Sequence, residues 1–409
     1  MSLSFQCRSC GSPHGTLILD LGVQPLANNL LREQDLLKPE PKFPLRLALC
    51  QTCWLLQILD LVPPVQLFSE YLYFSSFSDV ALRHAREAQA RYVKEFALDK
   101  NSLVVEVASN DGYLLQYFGA AGVPCLGIEP AANIAKVATQ KGIETLVEFF
   151  GQHLARSLAQ KGRQADLILG NNVFAHAPNP NDFVAGLAAL LKPRGRIILE
   201  FPYAADFIEK SEFDTIYHEH VFYFSLTALE PLFRRHGIET YHVEQLRIHG
   251  GSLRLFAGHA GAHARQRSVE QLLTQEKRKG MDAPAYYEGF AQRVLELKRS
   301  LLDLLLQARQ QGKSIAAYGA SAKGSTLLNF FGLDKAALEF VADRSTYKQG
   351  RLTPGTHIPI VPAERLLERR PDYTLLLTWN FADEILEQQS AYREKGGKFI
   401  IPIPAVSVV

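Results

Sequence analysis

The chain predicts an α/β fold in three parts: a small cysteine-bearing module over residues 1–70, a strand–helix sheet over residues 71–265, and a second, smaller strand–helix sheet over residues 266–409. Three observations carry that reading. Two Cys-x-x-Cys pairs stand near the N-terminus. Ser102 to Tyr113 reads as a buried parallel strand running into a tight turn and helix. The same order of strand, turn and helix begins again at Lys313, after a long helical stretch.

A hydrophobic content of 47% with 21% charge is ordinary for a soluble globular chain, and 409 residues suffice for two or three cores. The formal net charge is +2, and Lys/Arg clusters are limited to short patches such as Gln275–Gly280, so no nucleic-acid partner is expected. No apolar run approaches the roughly eighteen residues of a membrane span, and no basic-then-apolar leader opens the chain. No membrane partner is expected, the location is expected to be the cytoplasm, and the state a monomer or weak dimer.

Taken in order, Cys7-Arg8-Ser9-Cys10 and Cys50-Gln51-Thr52-Cys53 place two thiolates each on a turn. Four sulfurs complete a tetrahedral zinc shell with no position left for water, which makes the metal structural. A redox dithiol would need only one such pair. Cys125 stands alone after Val123-Pro124 and reads as a small core residue. The aromatic run Leu67–Ser76 either docks the cysteine module on its neighbour or points Tyr71 or Tyr73 into a cleft between domains.

A helix over Leu82–Ala97 leads into the first strand of the central part. Its turn carries Glu106, Ser109, Asn110, Asp111 and a single glycine, Gly112, so it fails the G-x-G-x-x-G pyrophosphate rule. An acidic turn repels phosphate and suits a ligand that is cationic or rich in hydroxyls. S-adenosylmethionine (SAM), with a sulfonium, an ammonium and a ribose diol, meets that description. The next strand ends Gly127-Ile128-Glu129-Pro130, with Glu129 where an acid takes ribose hydroxyls. Asp166–His176 is a further strand leading through Asn171 and Asn172 into a polar turn, and Gly195–Pro202 follows Leu191-Lys192-Pro193-Arg194. This order resembles the class I SAM-dependent methyltransferases, whose sheet would then end in strands near 240–247 and 252–257.

Acid/base groups are densest in Asp214–Ser225, which holds Tyr217, His218, Glu219, His220 and Tyr223. An imidazole beside a carboxylate and a phenol can serve as a general base near neutral pH. A metalloprotease helix needs His-Glu-x-x-His, whereas His218 and His220 are two apart, on one face of a strand or irregular segment. A buried structural network is the competing reading.

Ser268–Gln311 is helical and joins two lobes. Beyond it, Gly319 and Gly324 have Walker-A spacing, but Lys323 precedes the second glycine, which excludes an ATPase of that type. Backbone N–H groups at a helix N-terminus still make an anion site, suited to a diphosphate. Phe340–Ser345 and Thr374–Asn380 end further strands of a Rossmann-like sheet, and the turn His249-Gly250-Gly251-Ser252 offers it more backbone donors.

Together these motifs resemble the SAM-dependent C-methyltransferases of deoxysugar biosynthesis, in particular the nucleotide-sugar C-3′-methyltransferases, and the likeness covers essentially the whole chain. It implies an N-terminal zinc module, a central class I methyltransferase sheet and a C-terminal Rossmann-like domain. It implies SAM held by Glu106, Ser109, Asn110, Asp111, Gly112, Glu129, Pro130, Asn171 and Asn172. His220 would be the base with Glu219 beside it, and Tyr217, His176 and Tyr71 would line the reacting carbons. A nucleotide-diphosphate 4-keto sugar would meet Tyr73, His249, Gly250, Gly251, Ser252, Ser321, Lys323 and Arg344. Two other classes stay open: an NAD-dependent oxidoreductase, against which the missing glycine fingerprint counts, and a zinc-ribbon scaffold that would leave the acid/base cluster idle.

Overall fold

Strand β1 (Gly15–Pro25) pairs antiparallel with β2 (Lys42–Cys50), and β2 with β3 (Leu56–Ile58). Every residue from Leu47 to Cys50 is buried, as is all of β3, so this small sheet is covered on both faces where it meets the cysteines. The computed structural model describes residues 5–68, 74–246 and 250–409. Tyr71, Tyr73 and His249 lie outside the described residues.

The central sheet is built from β4 (Val104–Val107), β5 (Cys125–Ile128), β6 (Thr145–Leu146), β7 (Ala165–Asn171) and β8 (Leu191–Pro202), all parallel. The chain then returns to the first sheet with β9 (Phe222–Tyr223), which pairs with β3, before β10 (Ile238–Leu246) and β11 (Ser252–His259) complete the centre. The order is β10-β11-β8-β7-β4-β5-β6, with β11 antiparallel to both neighbours. Chain direction along the sheet switches at β4, between β5 and β7, and ligands of open α/β sheets bind at the strand carboxyl ends of such a point.

Local chemistry fixes the crossover helices. Ser78, Ser225 and Asn179 accept from backbone N–H groups at the starts of helices Asp79–Glu95, Leu226–Arg235 and Pro180–Leu190. Pro180 sits at a first helical position, where its missing N–H costs nothing. Phe174 packs beneath the sheet between Phe183 and Phe224, ring centroids 5.0 and 4.4 Å away, and truncating so buried a ring costs about 3–5 kcal/mol.

Helix Phe290–Gln310 leads to a third sheet. Its strands are β12 (Ile315–Tyr318), β13 (Val341–Asp343), β14 (Ile360–Pro362), β15 (Tyr373–Leu376), β16 (Lys398–Ile401) and β17 (Ser407–Val408). They run in the order β14-β13-β12-β15-β16-β17, and only β17 is antiparallel. Among the described residues no helix is long and apolar enough to cross a membrane.

Candidate active site

The four cysteine sulfurs lie within 4.8 Å of one another, with Cys7 and Cys53 Sγ 3.5 Å apart and Cys10 and Cys50 3.6 Å apart. Zn–S bonds of about 2.3 Å in a tetrahedron give sulfur separations of roughly 3.8 Å, so the group fits zinc. The residue after each pair has left-handed backbone, Gly11 at φ 77° and Trp54 at φ 61°. The cluster is closed, and no acid/base group of Asp214–Ser225 belongs to it.

At the switch point, β4 is wholly buried, and Glu106 interrupts an otherwise apolar run. Among the described residues neither of its carboxylate oxygens has a partner; nor do Ser109 Oγ and Asp111 Oδ1. Burial, reinforced by Glu129 and Asp111, pushes the Glu106 carboxyl well above its ordinary range. Glu129 accepts from the backbone N–H groups of Asn110 at 3.0 Å and Ala131 at 2.9 Å, one on each oxygen, which fixes its carboxylate toward the turn. Left-handed Asn110 and Gly112 turn the backbone, and a Cβ at Gly112 would meet Ile143 Cδ1 at 2.3 Å. Asn171 donates to the Tyr113 hydroxyl at 3.2 Å, while Asn172 is held by its N–H on the Glu200 carbonyl at 2.7 Å. A cradle with acidic oxygens left over fits SAM, whose ribose Glu129 could take and whose positive groups Glu106 and the free oxygen of Asp111 could face. SAM, when bound there, supplies an electrophilic methyl group. Sequence reasoning missed Ser75 and Ser76 in this cradle; Ser75 N–H donates to Asn110 Oδ1 at 2.9 Å and the Ser76 hydroxyl donates to Asp111.

The segment around His220 is buried and irregular. His220 Nδ1 lies 3.1 Å from the Thr215 carbonyl, which can only accept, so Nδ1 carries the proton and Nε2 the lone pair. Nε2 accepts from the Tyr217 hydroxyl at 2.7 Å. Tyr223 donates to the same Thr215 carbonyl at 3.1 Å. Burial first, then His176 and Lys323, hold the His220 pKa well below the usual imidazole range, so the ring is neutral. The His176 ring meets it edge-on, centroids 4.7 Å apart, and burial lowers His176 to about 4.

Several sequence expectations change here. The Glu219 carboxylate does not hold the His220 N–H; it accepts from Asn28 Nδ2 of the N-terminal module at 2.7 and 2.9 Å. His218 and His220 stand on a turn over residues 217–220, the irregular alternative to a strand, and meet different partners. His218 bonds the Pro44 carbonyl at 3.1 Å. The glycine turn of the third sheet offers fewer backbone donors to an anion than its spacing suggests. Gly319, Ala320 and Ser321 spend their N–H groups on Ala342 O, Asp343 Oδ2 and Gly319 O. Ser321 caps Gly324 N at 3.1 Å. The Gly250-Gly251 turn faces acids, since added Cβ atoms would lie 2.7 Å from Glu212 Oε1 and 2.3 Å from Asp206 Oδ2. Ser252 is buried, and Arg344 is exposed just after β13. Glu212, Asp214 and Trp379 were not singled out; Trp379, just beyond the carboxyl end of β15, was the one whose position could have given it away.

Family models match the chain in three runs: a domain described as zinc binding over residues 7–68, a methyltransferase domain over residues 81–243, and a C-methyltransferase C-terminal domain over residues 247–404. The C-methyltransferase NovU of Streptomyces niveus is 36% identical over 405 residues, covering 99% of this chain and 96% of NovU. The chain belongs to the C-methyltransferase family. This C-methyltransferase is a SAM-dependent enzyme with a zinc-binding N-terminal module. The ubiquinone biosynthesis O-methyltransferase of Bordetella avium (strain 197N) is 30% identical over 94 residues, 22% of this chain and 39% of that protein. The SAM-bound magnesium protoporphyrin IX methyltransferase of Synechocystis PCC 6803 is 17% identical and covers 44% of this chain and 82% of its own, with a TM-score of 0.34.

Proposed function

We propose that this C-methyltransferase acts on a nucleotide-diphosphate 4-keto-deoxysugar and that His220 removes the proton on the carbon next to the ketone. The observation that supports it most is the tautomer of His220: Nδ1–H is tied to Thr215, leaving the Nε2 lone pair as the base of a buried, neutral imidazole. Tyr217 caps that lone pair. When substrate enters, the phenol turns to the sugar and the lone pair meets the C–H bond. His176, neutral and edge-on to His220, lines the same space. Glu219 contributes by anchoring the segment to Asn28. The nucleotide is assigned to the third-sheet lobe, where Arg344 is exposed beyond β13.

Hydrogen exchange tests the assignment without methyl transfer. In heavy water, with a 4-keto nucleotide sugar and S-adenosylhomocysteine, the wild type should exchange the hydrogen on the acceptor carbon. A placed base contributes about 10²–10⁴ in rate, so His220→Asn should lose that factor while binding both ligands. Exchange by the variant at the wild-type rate would remove His220 from the role.

A further inference from the structure

Lys323 lies in the first turn of helix Ala322–Phe331. That helix is fastened to the segment before His220: Thr326 donates to the Ile216 carbonyl at 3.1 Å, and Phe331 stacks on Phe213 at 5.1 Å. The Lys323 ammonium is buried over the Trp379 ring, 4.9 Å from its centroid, and has no hydrogen-bond partner among the described residues. Around it stand two buried carboxylates, each with one unpartnered oxygen. Asp214 accepts the Trp379 indole N–H on its other oxygen at 2.7 Å, and burial raises Glu212 to about 7, opposed by Lys323. The field of the ammonium also reaches His220.

A buried ammonium without an acceptor is costly and persists where a ligand group completes it. A diphosphate is a poor candidate. The backbone N–H groups of Gly319, Ala320 and Ser321 are spent within the fold, and Glu212 and Asp214 would repel a dianion. A ketone oxygen suits the site better, because it is neutral when it binds and becomes negative only as the adjacent C–H bond breaks. Stabilisation that grows toward the transition state raises the rate without tightening the ground state.

We propose that the Lys323 ammonium takes the ketone oxygen of the sugar and holds the charge that develops there, a reading that rests on the proton-abstraction role given to His220. In that step the C–H bond breaks and an N–H bond forms at His220 Nε2. The C–H electron pair becomes the C=C bond of the enolate, and the carbonyl π pair moves to the oxygen beside Lys323. Asp214 and Trp379 position the lysine and do not touch substrate.

The heavy-water exchange experiment decides this when run alongside calorimetry with thymidine diphosphate. Losing one oxyanion donor costs about 10²–10³ in rate, so Lys323→Met should exchange that much more slowly, bind thymidine diphosphate and S-adenosylhomocysteine within twofold of wild type, and melt near it. Lys323→Arg should recover part of the rate. Should the methionine variant fail to fold, Lys323→Gln, which keeps a donor but no charge, should exchange at least about tenfold more slowly than the wild type while binding both ligands. Wild-type exchange in the variant overturns the proposal. So does a loss of thymidine diphosphate affinity that matches the loss of exchange, which would return Lys323 to the diphosphate. A wild type that exchanges nothing refutes the parent reading and takes this one with it.

Discussion

Replacing Glu129 by Gln should weaken SAM binding while leaving the fold intact. Each Glu129 oxygen spends one lone pair on a backbone N–H, from Asn110 and Ala131, and keeps one that could accept from a ribose hydroxyl. The carboxylate can therefore take a vicinal diol through two charge-assisted bonds, each worth about 1.5–3 kcal/mol. Glutamine retains one acceptor oxygen and presents an NH₂ group at the other. It loses one of those bonds and the charge, so affinity for S-adenosylhomocysteine should fall by about 10- to 150-fold. The same NH₂ group leaves one backbone N–H facing a donor, costing about 1–3 kcal/mol of stability, which a domain of this size tolerates. Titration calorimetry gives the affinity, and a thermal melt gives the stability. A variant that melts a few degrees low yet binds S-adenosylhomocysteine as tightly as the wild type would show that Glu129 only braces the turn.

Metal analysis should find one zinc per chain, and Cys53→Ser should lower the melting temperature sharply, because a structural site contributes folding free energy outright; an unchanged melt would refute a structural metal. For His176, the folded-state value of about 4 lies below the unfolded imidazole value near 6.5, so the unfolded chain binds the extra proton between them. Its contribution is complete above pH 6.5 and is lost as pH falls toward 4. With the ring partly exposed, about 1–2 kcal/mol should be lost by pH 5. Urea denaturation at pH 7 and pH 5 should show that loss reduced in His176→Gln, and equal losses in the two proteins would show that His176 is not the titrating group.

Much of the fold was legible because parallel strands announce themselves as short apolar runs, and because the residues that interrupt them stand out. Glu106 is an acid in a fully buried strand, and the two cysteine pairs encode their own geometry. The site was less legible where partners come from distant sequence. Nothing around Asn28 marks it as the donor to Glu219, 191 residues away. The Glu219–His220 adjacency in sequence misled, because a turn sends neighbouring side chains in different directions; a backbone carbonyl, invisible to any motif, took the role expected of the carboxylate. Glycine spacing misled in the same way at Gly319, where counting donors cannot reveal that Asp343 already uses one.

The segment Phe213–Phe224 belongs to no single lobe. Its strand β9 is an edge of the N-terminal sheet, Val221 N–H donates to the Ala175 carbonyl of the central part, and Ile216 O receives Thr326 from the third. The architecture is thus modular in sequence but not around His220, where all three parts meet. A C-terminal lobe lacking Thr326 and Phe331 would lose both contacts to this segment and should misplace the residues around His220 even if it folded. Changes of substrate preference should therefore be reached more readily by substitutions across all three parts than by exchange of one, and chimeras that cut between residues 246 and 322 should fold more often than they work.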